Sequence, residues 1–183
     1  YMNLGVALKA LGRLEEAVTT YQKALTINPN DAEVLSNLGL AFNDLGRPND
    51  AAKACQQAIA ISPGFAAAYN NLGNALKDLE RPEEAVINYH KAIDIQPDYA
   101  EAHYNLGIIL KEMGNLDEAV ASYQKVTAIN PNNAHAHNNL GNLLQKLGRL
   151  DEAITSYQKS IEIQPTFAEA HNNLGLALQE QGK

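Results

Sequence analysis

An asparagine recurs at fixed spacing along this chain: Asn3, Asn37, Asn71, Asn105, Asn139 and Asn173, one every 34 residues, each followed by Leu and Gly. A carboxamide offers two donors and an acceptor. It can pair with the C=O and N–H of a peptide group together, whatever side chain that group carries. A row of amides is therefore suited to holding an extended polypeptide by its main chain. The alternative is that each amide bonds to the adjacent repeat and fixes the stacking. Asn70, Asn74, Asn138, Asn142 and Asn172 lie beside the row, and Lys9, Lys77 and Lys111 follow it by one or more helical turns. Asp44, Asp78, Glu112 and Glu180 come close behind, and Glu33, Glu101 and Glu169 precede the row, so its surroundings are near neutral.

The remaining reactive side chains read as structural. His103, His137 and His171 share the 34-residue register, but stacked repeats lie about 8–10 Å apart, too far for one metal held at about 2.0–2.1 Å. His135 and His137 point to different faces of one helix. Cys55 sits in an apolar stripe with no adjacent basic residue, as an inert core thiol does. Tyr21, Tyr89, Tyr123 and Tyr157 recur in phase as core residues. No nucleophile–base pair, phosphate-cradling glycine loop or paired carboxylates stand out. The chain is expected to be non-catalytic and to need no cofactor or metal.

Composition bounds the partners. The net charge is −7, with 14 basic and 21 acidic residues in 183. A phosphate-tracking surface needs clustered Lys and Arg, so nucleic acid is not the expected partner. No apolar run approaches the ~18 residues of a membrane span, so direct membrane insertion is not expected. A single cysteine allows no internal disulfide and suits a reducing compartment, with the cytoplasm as the expected location.

The elements that must position the asparagines follow from the same period. In residues 66–99, Tyr69, Leu72, Gly73, Leu76 and Leu79 form one helical stripe. Arg81-Pro82 makes a turn, with Pro suited to a first helical position. Glu83 and Glu84 open a second helix, where acids favour the N-terminal dipole. Ala85, Val86, Tyr89, Ala92 and Ile93 form its stripe and Pro97 ends it. Each repeat is thus helix, tight turn, helix, tight turn. Gly12, Gly46, Gly114 and Gly148 occupy the inner turn, where Glu80 replaces glycine. A left-handed Glu80 would be strained by ~1 kcal/mol. A glycine inside the first helix, as at Gly73, costs ~1 kcal/mol against Ala, so close helix contact must compensate. The expected organisation is a single array: a nearly complete repeat over 1–31, complete repeats over 32–65, 66–99, 100–133 and 134–167, and the first helix of a further repeat over 168–183.

The run Tyr69-x-x-Leu72-Gly73-x-x-Leu76, then Ala85-x-x-x-Tyr89, then Pro97, resembles the tetratricopeptide repeat (TPR) family over the whole chain. The family's usual Trp is Tyr or His here, and its usual Tyr is mostly Leu. The resemblance implies an all-α, right-handed α-solenoid of stacked antiparallel helix pairs. First helices would line a concave groove that binds peptides or partner proteins. The asparagine row is similar to the ladder in the TPR superhelix of O-GlcNAc transferases, which holds polypeptide through its main chain. That likeness carries over to Asn3, Asn37, Asn71, Asn105, Asn139 and Asn173. The basic carboxylate clamp of chaperone-binding TPR domains is missing, its positions being Glu, Ala or Asn. The expected function is a protein-interaction scaffold with an Asn-lined groove. The substrate-recruiting arm of a larger enzyme of the O-GlcNAc transferase type, and a homotypic assembly protein, are the alternatives. Leu174, Ala177 and Leu178 form an apolar stripe with no following second helix, so the chain reads as part of a longer array that self-associates end to end.

Overall fold

The computed structural model describes residues 1–182, and among them every regular element is an α-helix. First helices are α1 (Met2–Ala10), α3 (Ala32–Asp44), α5 (Ala66–Asp78), α7 (Ala100–Glu112), α9 (Ala134–Lys146) and α11 (Ala168–Glu180). Second helices are α2 (Leu14–Ile27), α4 (Pro48–Ile61), α6 (Pro82–Ile95), α8 (Leu116–Ile129) and α10 (Leu150–Ile163). The helices gather into two compact units. One runs from Tyr1 to Tyr99 and holds α1–α6; the other begins at Ala100 and holds α7–α11.

Local chemistry sets the boundaries. Pro48 and Pro82 open α4 and α6, where a missing N–H costs nothing. Asp31 caps α3 by accepting from Val34 N–H at 3.1 Å, and Asn133 caps α9 by accepting from Ala136 N–H at 3.0 Å. Each second helix ends two residues before a proline, and the residue between them has backbone drawn out of the helical region (Gln96, φ −132° and ψ 91°). The inner turns need a left-handed residue: Gly46 has φ 68°, and Glu80 takes φ 58° at the same point of the next repeat.

In every pair but α3–α4, the ring of the second-helix tyrosine lies against the first-helix glycine. A Cβ at Gly73 would stand 2.5 Å from the Tyr89 ring, and one at Gly141 2.6 Å from Tyr157. Tyr21, Tyr89, Tyr123 and Tyr157 are completely buried. Cys55 fills the same socket beneath Gly39, and burial pushes its thiol up to about 12. Small residues such as Ala17, Ala51, Ala85, Ala119 and Ala153 are fully buried where the helices close up. Leu38 and Leu72 in the first unit, and Leu106 and Leu140 in the second, are buried under their neighbours; Leu4 on α1 is 53% exposed. On α11, Ala177 is buried while Leu174 and Leu178 are half-buried in packing that involves α10 and α9.

Candidate functional site

The asparagines of the 34-residue series occupy one register position on the first helices. In the first unit, Asn71 is buried, and its Nδ2 donates to the Ser36 carbonyl at 3.3 Å and to Ser36 Oγ at 3.1 Å. In the second, Asn139 Nδ2 donates to the Tyr104 hydroxyl at 3.1 Å and, more weakly, to that of Tyr123 at 3.5 Å. Asn173 Nδ2 donates to Asn138 Oδ1 at 3.1 Å and Asn142 Oδ1 at 2.9 Å. In all three cases the first-named partner lies 35 residues back, on the preceding first helix. The amide donors of these three residues are therefore committed within the chain, while their Oδ1 atoms accept no hydrogen bond from a described residue. Asn37 and Asn105 are half-buried on α3 and α7, and Asn3 is exposed on α1.

The neighbouring amides divide by depth. Asn70 and Asn138 are buried inside the first-helix layer, and Asn138 Nδ2 donates to Glu169 Oε1 at 2.9 Å. Asn74 and Asn142 are half-buried and accept from the hydroxyls of Tyr89 and Tyr157, both at 2.8 Å. Asn172 is exposed. Of the cations, Lys111 is exposed, Lys77 stands 3.6 Å from Asp78, and Lys9 pairs with Asp44 at 3.0 Å.

Sequence reasoning missed the partners. Ser36, Tyr104 and Asn138 share one register with Met2, Asn70 and Asn172, each just ahead of the asparagine series. That polar column was the available signal. Asn43 was also missed; its Nδ2 donates to the Asn71 backbone carbonyl at 3.0 Å. On the second helices Glu84 sits in the first turn as expected, as do Glu16, Asp50 and Glu152, and each is also gripped by an arginine three residues earlier, as in Arg13–Glu16 at 2.6 Å. Hydrogen bonding from Arg13 and Arg149 holds Glu16 and Glu152 below the usual carboxylate range.

The three histidines of the 34-residue series lie at different depths, and His171 is exposed rather than packed. His103 is buried, and the Nε2 atoms of His137 and His171 lie 3.1 and 2.9 Å from the carbonyl oxygens of Pro131 and Pro165. A carbonyl only accepts, so these Nε2 atoms carry the proton. Burial holds His137 below the ordinary imidazole value. Among the described residues, no three His, Cys, Asp or Glu side chains are grouped to hold a metal, and no helix is long and apolar enough to cross a membrane.

Known proteins match this arrangement. The family profile described as TPR repeat matches residues 5–46, 73–114, 109–148 and 141–182; two profiles described as tetratricopeptide repeat match 32–65 and 54–87. The crystal structure of MamA is 31% identical with a TM-score of 0.78, covering 92% of this chain and 99% of that one. A thermophilic TPR protein of Thermus thermophilus is 30% identical with a TM-score of 0.77, covering 97% of each chain. YrrB, described as a TPR protein with an unusual peptide-binding site, is 26% identical with a TM-score of 0.72, covering 94% of this chain and 89% of that one. A search of the curated proteins returns no match.

Proposed function

Because this chain belongs to the tetratricopeptide repeat family, we propose that it is a non-catalytic scaffold that binds extended polypeptide along the amide-lined surface of its first helices. The observation that carries the reading is the commitment of the Asn71, Asn139 and Asn173 nitrogens to the preceding repeat. Held there, each carboxamide is fixed in rotamer, and its oxygen is the capacity that remains. A fixed acceptor on successive first helices suits the N–H groups of a strand-like ligand, and the entropy of ordering the side chain is already spent. The same bonds strengthen the stack, so the structural and binding readings of the row are complementary. Asn3 and Asn37 would extend the acceptors, with Asn138 and Asn142 setting the rotamer of Asn173. Lys77 and Lys111 would meet acidic side chains of the ligand. YrrB, whose description names a peptide-binding site, is the relative that bears on this reading.

The test uses peptides selected from a displayed random library on the wild-type chain. Their affinities are measured by fluorescence anisotropy for the wild type and for a variant with Asn37, Asn71 and Asn139 changed to Ala, after circular dichroism shows equal helicity. The same peptides are then N-methylated one peptide bond at a time. Main-chain recognition predicts that an N-methyl group at a bonded peptide weakens binding about tenfold, as loss of one well-formed bond does, and that the triple Ala variant weakens it more. Full-strength binding by every N-methylated peptide would sink the reading.

A further inference from the structure

The register column beside the asparagines is small or amide-bearing at Ser36, Asn70, Asn138 and Asn172, and departs from that type at Met2 and, with an aromatic ring, at Tyr104. The departure at Tyr104 coincides with a cavity of about 360 Å³ in the second unit, lined by Ala100, Glu101, Tyr104, Val126, Asn133 and His135. Its walls are fixed. The Tyr104 ring packs edge-on against Tyr123 with centroids 5.5 Å apart, and its hydroxyl accepts from Asn139. His135 packs against Phe167 with centroids 4.7 Å apart. Asn133 is pinned by its cap bond to Ala136. Val126, almost completely buried, and Ala100 supply apolar surface, and no lysine or arginine lines the space.

We propose that this cavity takes the side chain of a lysine or arginine from the bound polypeptide, an inference that rests on the polypeptide-binding reading above. The apolar surface suits the methylene stem, the Tyr104 ring suits a cation, and the Glu101 carboxylate supplies the opposite charge. A carboxylate has about four acceptor sites, so Glu101 can serve an incoming cation while it keeps an interaction elsewhere. The chain already uses the aromatic half of this recognition: the Arg47 guanidinium stands 4.6 Å over the Phe42 ring. A net charge of −7 also favours a basic segment. A glutamate side chain would meet the like charge of Glu101, and an apolar one would make no use of that carboxylate.

The experiment selects a random displayed peptide library on the wild type, on Glu101→Gln and on Tyr104→Leu, each checked by circular dichroism. The expected result is enrichment of one basic position on the wild type that vanishes on Glu101→Gln and weakens on Tyr104→Leu. Replacing that residue by citrulline or norleucine in a synthetic peptide should weaken binding to the wild type about tenfold and to Glu101→Gln little. Peptides selected without a basic preference, or with one unchanged in Glu101→Gln, would overturn the pocket and leave polypeptide binding standing. Recovery of no peptide from any of the three would overturn both.

Discussion

Tyr21 in the first helix pair and Tyr157 in the pair α9–α10 occupy the same socket and end differently. Both rings are fully buried against a first-helix glycine. The Tyr157 hydroxyl lies 2.8 Å from Asn142 Oδ1 and 2.9 Å from Gln145 Oε1; having one proton, it donates to one of them at a time. The Tyr21 hydroxyl is buried with no partner. The residue at the Asn142 position of the first repeat is Val6, which has nothing to offer it. Packing and polar satisfaction are therefore separate layers in this fold. The ring socket is repeated because a glycine and a ring face must fit. The hydrogen bonds vary because each depends on which polar residue a neighbouring helix supplies.

The packing layer should give the largest effect. Gly141→Ala drives a methyl into the Tyr157 ring, and overpacking of this kind should cost about 1–3 kcal/mol. Gly175 stands at the same register of α11 with nothing within 4 Å of an added Cβ, so Gly175→Ala should stabilise by up to about 1 kcal/mol through helix propensity. Urea unfolding of both variants reads the contrast. Equal losses at the two sites would mean that the glycine serves something other than the ring.

The polar layer comes next. Asn142→Val places beside Tyr157 the residue type that Val6 presents to Tyr21, and also removes a partner of Asn173. Gln145 can still receive the hydroxyl, so the cost should be about 1–2 kcal/mol rather than the full penalty of a buried orphan. The reverse change, Val6→Asn, should satisfy Tyr21 and gain about 0.5–1 kcal/mol. Thermal unfolding of the two variants checks both signs. A stabilised Asn142→Val would show that the hydroxyl contributes nothing to this contrast.

Much of the packing layer could be read in advance. Proline and glycine placed the turns, the stripe Leu72, Gly73 and Leu76 placed the core face, and the missing glycine at residue 80 announced a left-handed glutamate, found at φ 58°. The polar layer could not be read the same way. Asn71, Asn139 and Asn173 look identical in sequence, yet their donors end on a serine, two tyrosines and two asparagines. A period reports that a position is repeated. It does not report which side chain on the adjacent helix comes within 3 Å, because that depends on helix spacing and on substitutions 35 residues away. The Tyr104 cavity was illegible for the same reason, since an aromatic among small polar residues shows its effect only once Val126 and His135 are placed around it.

The smallest effect sharpens the same pair of tyrosines through their protons. Burial first, then Glu169 and Glu180, pushes the Tyr157 phenol up to about 12; burial alone raises that of Tyr21. A free tyrosine ionises near pH 10. Below that pH the phenol is neutral in folded and unfolded chains alike, and stability is at its full value. From about pH 10 to about pH 12 the unfolded chain loses the proton while the folded chain keeps it, so stability falls with rising pH through that window. Glu169→Gln removes one repelling carboxylate, so Tyr157 should ionise at a slightly lower pH and this part of the loss should shrink. The chain has eight tyrosines, so the readout is the difference between the phenolate absorbance titrations of folded wild type and Glu169→Gln, compared with the same pair on a Tyr157→Phe background. A Glu169→Gln titration superimposable on the wild type would remove Glu169 from the causes and leave burial, with Glu180, to separate Tyr157 from Tyr21.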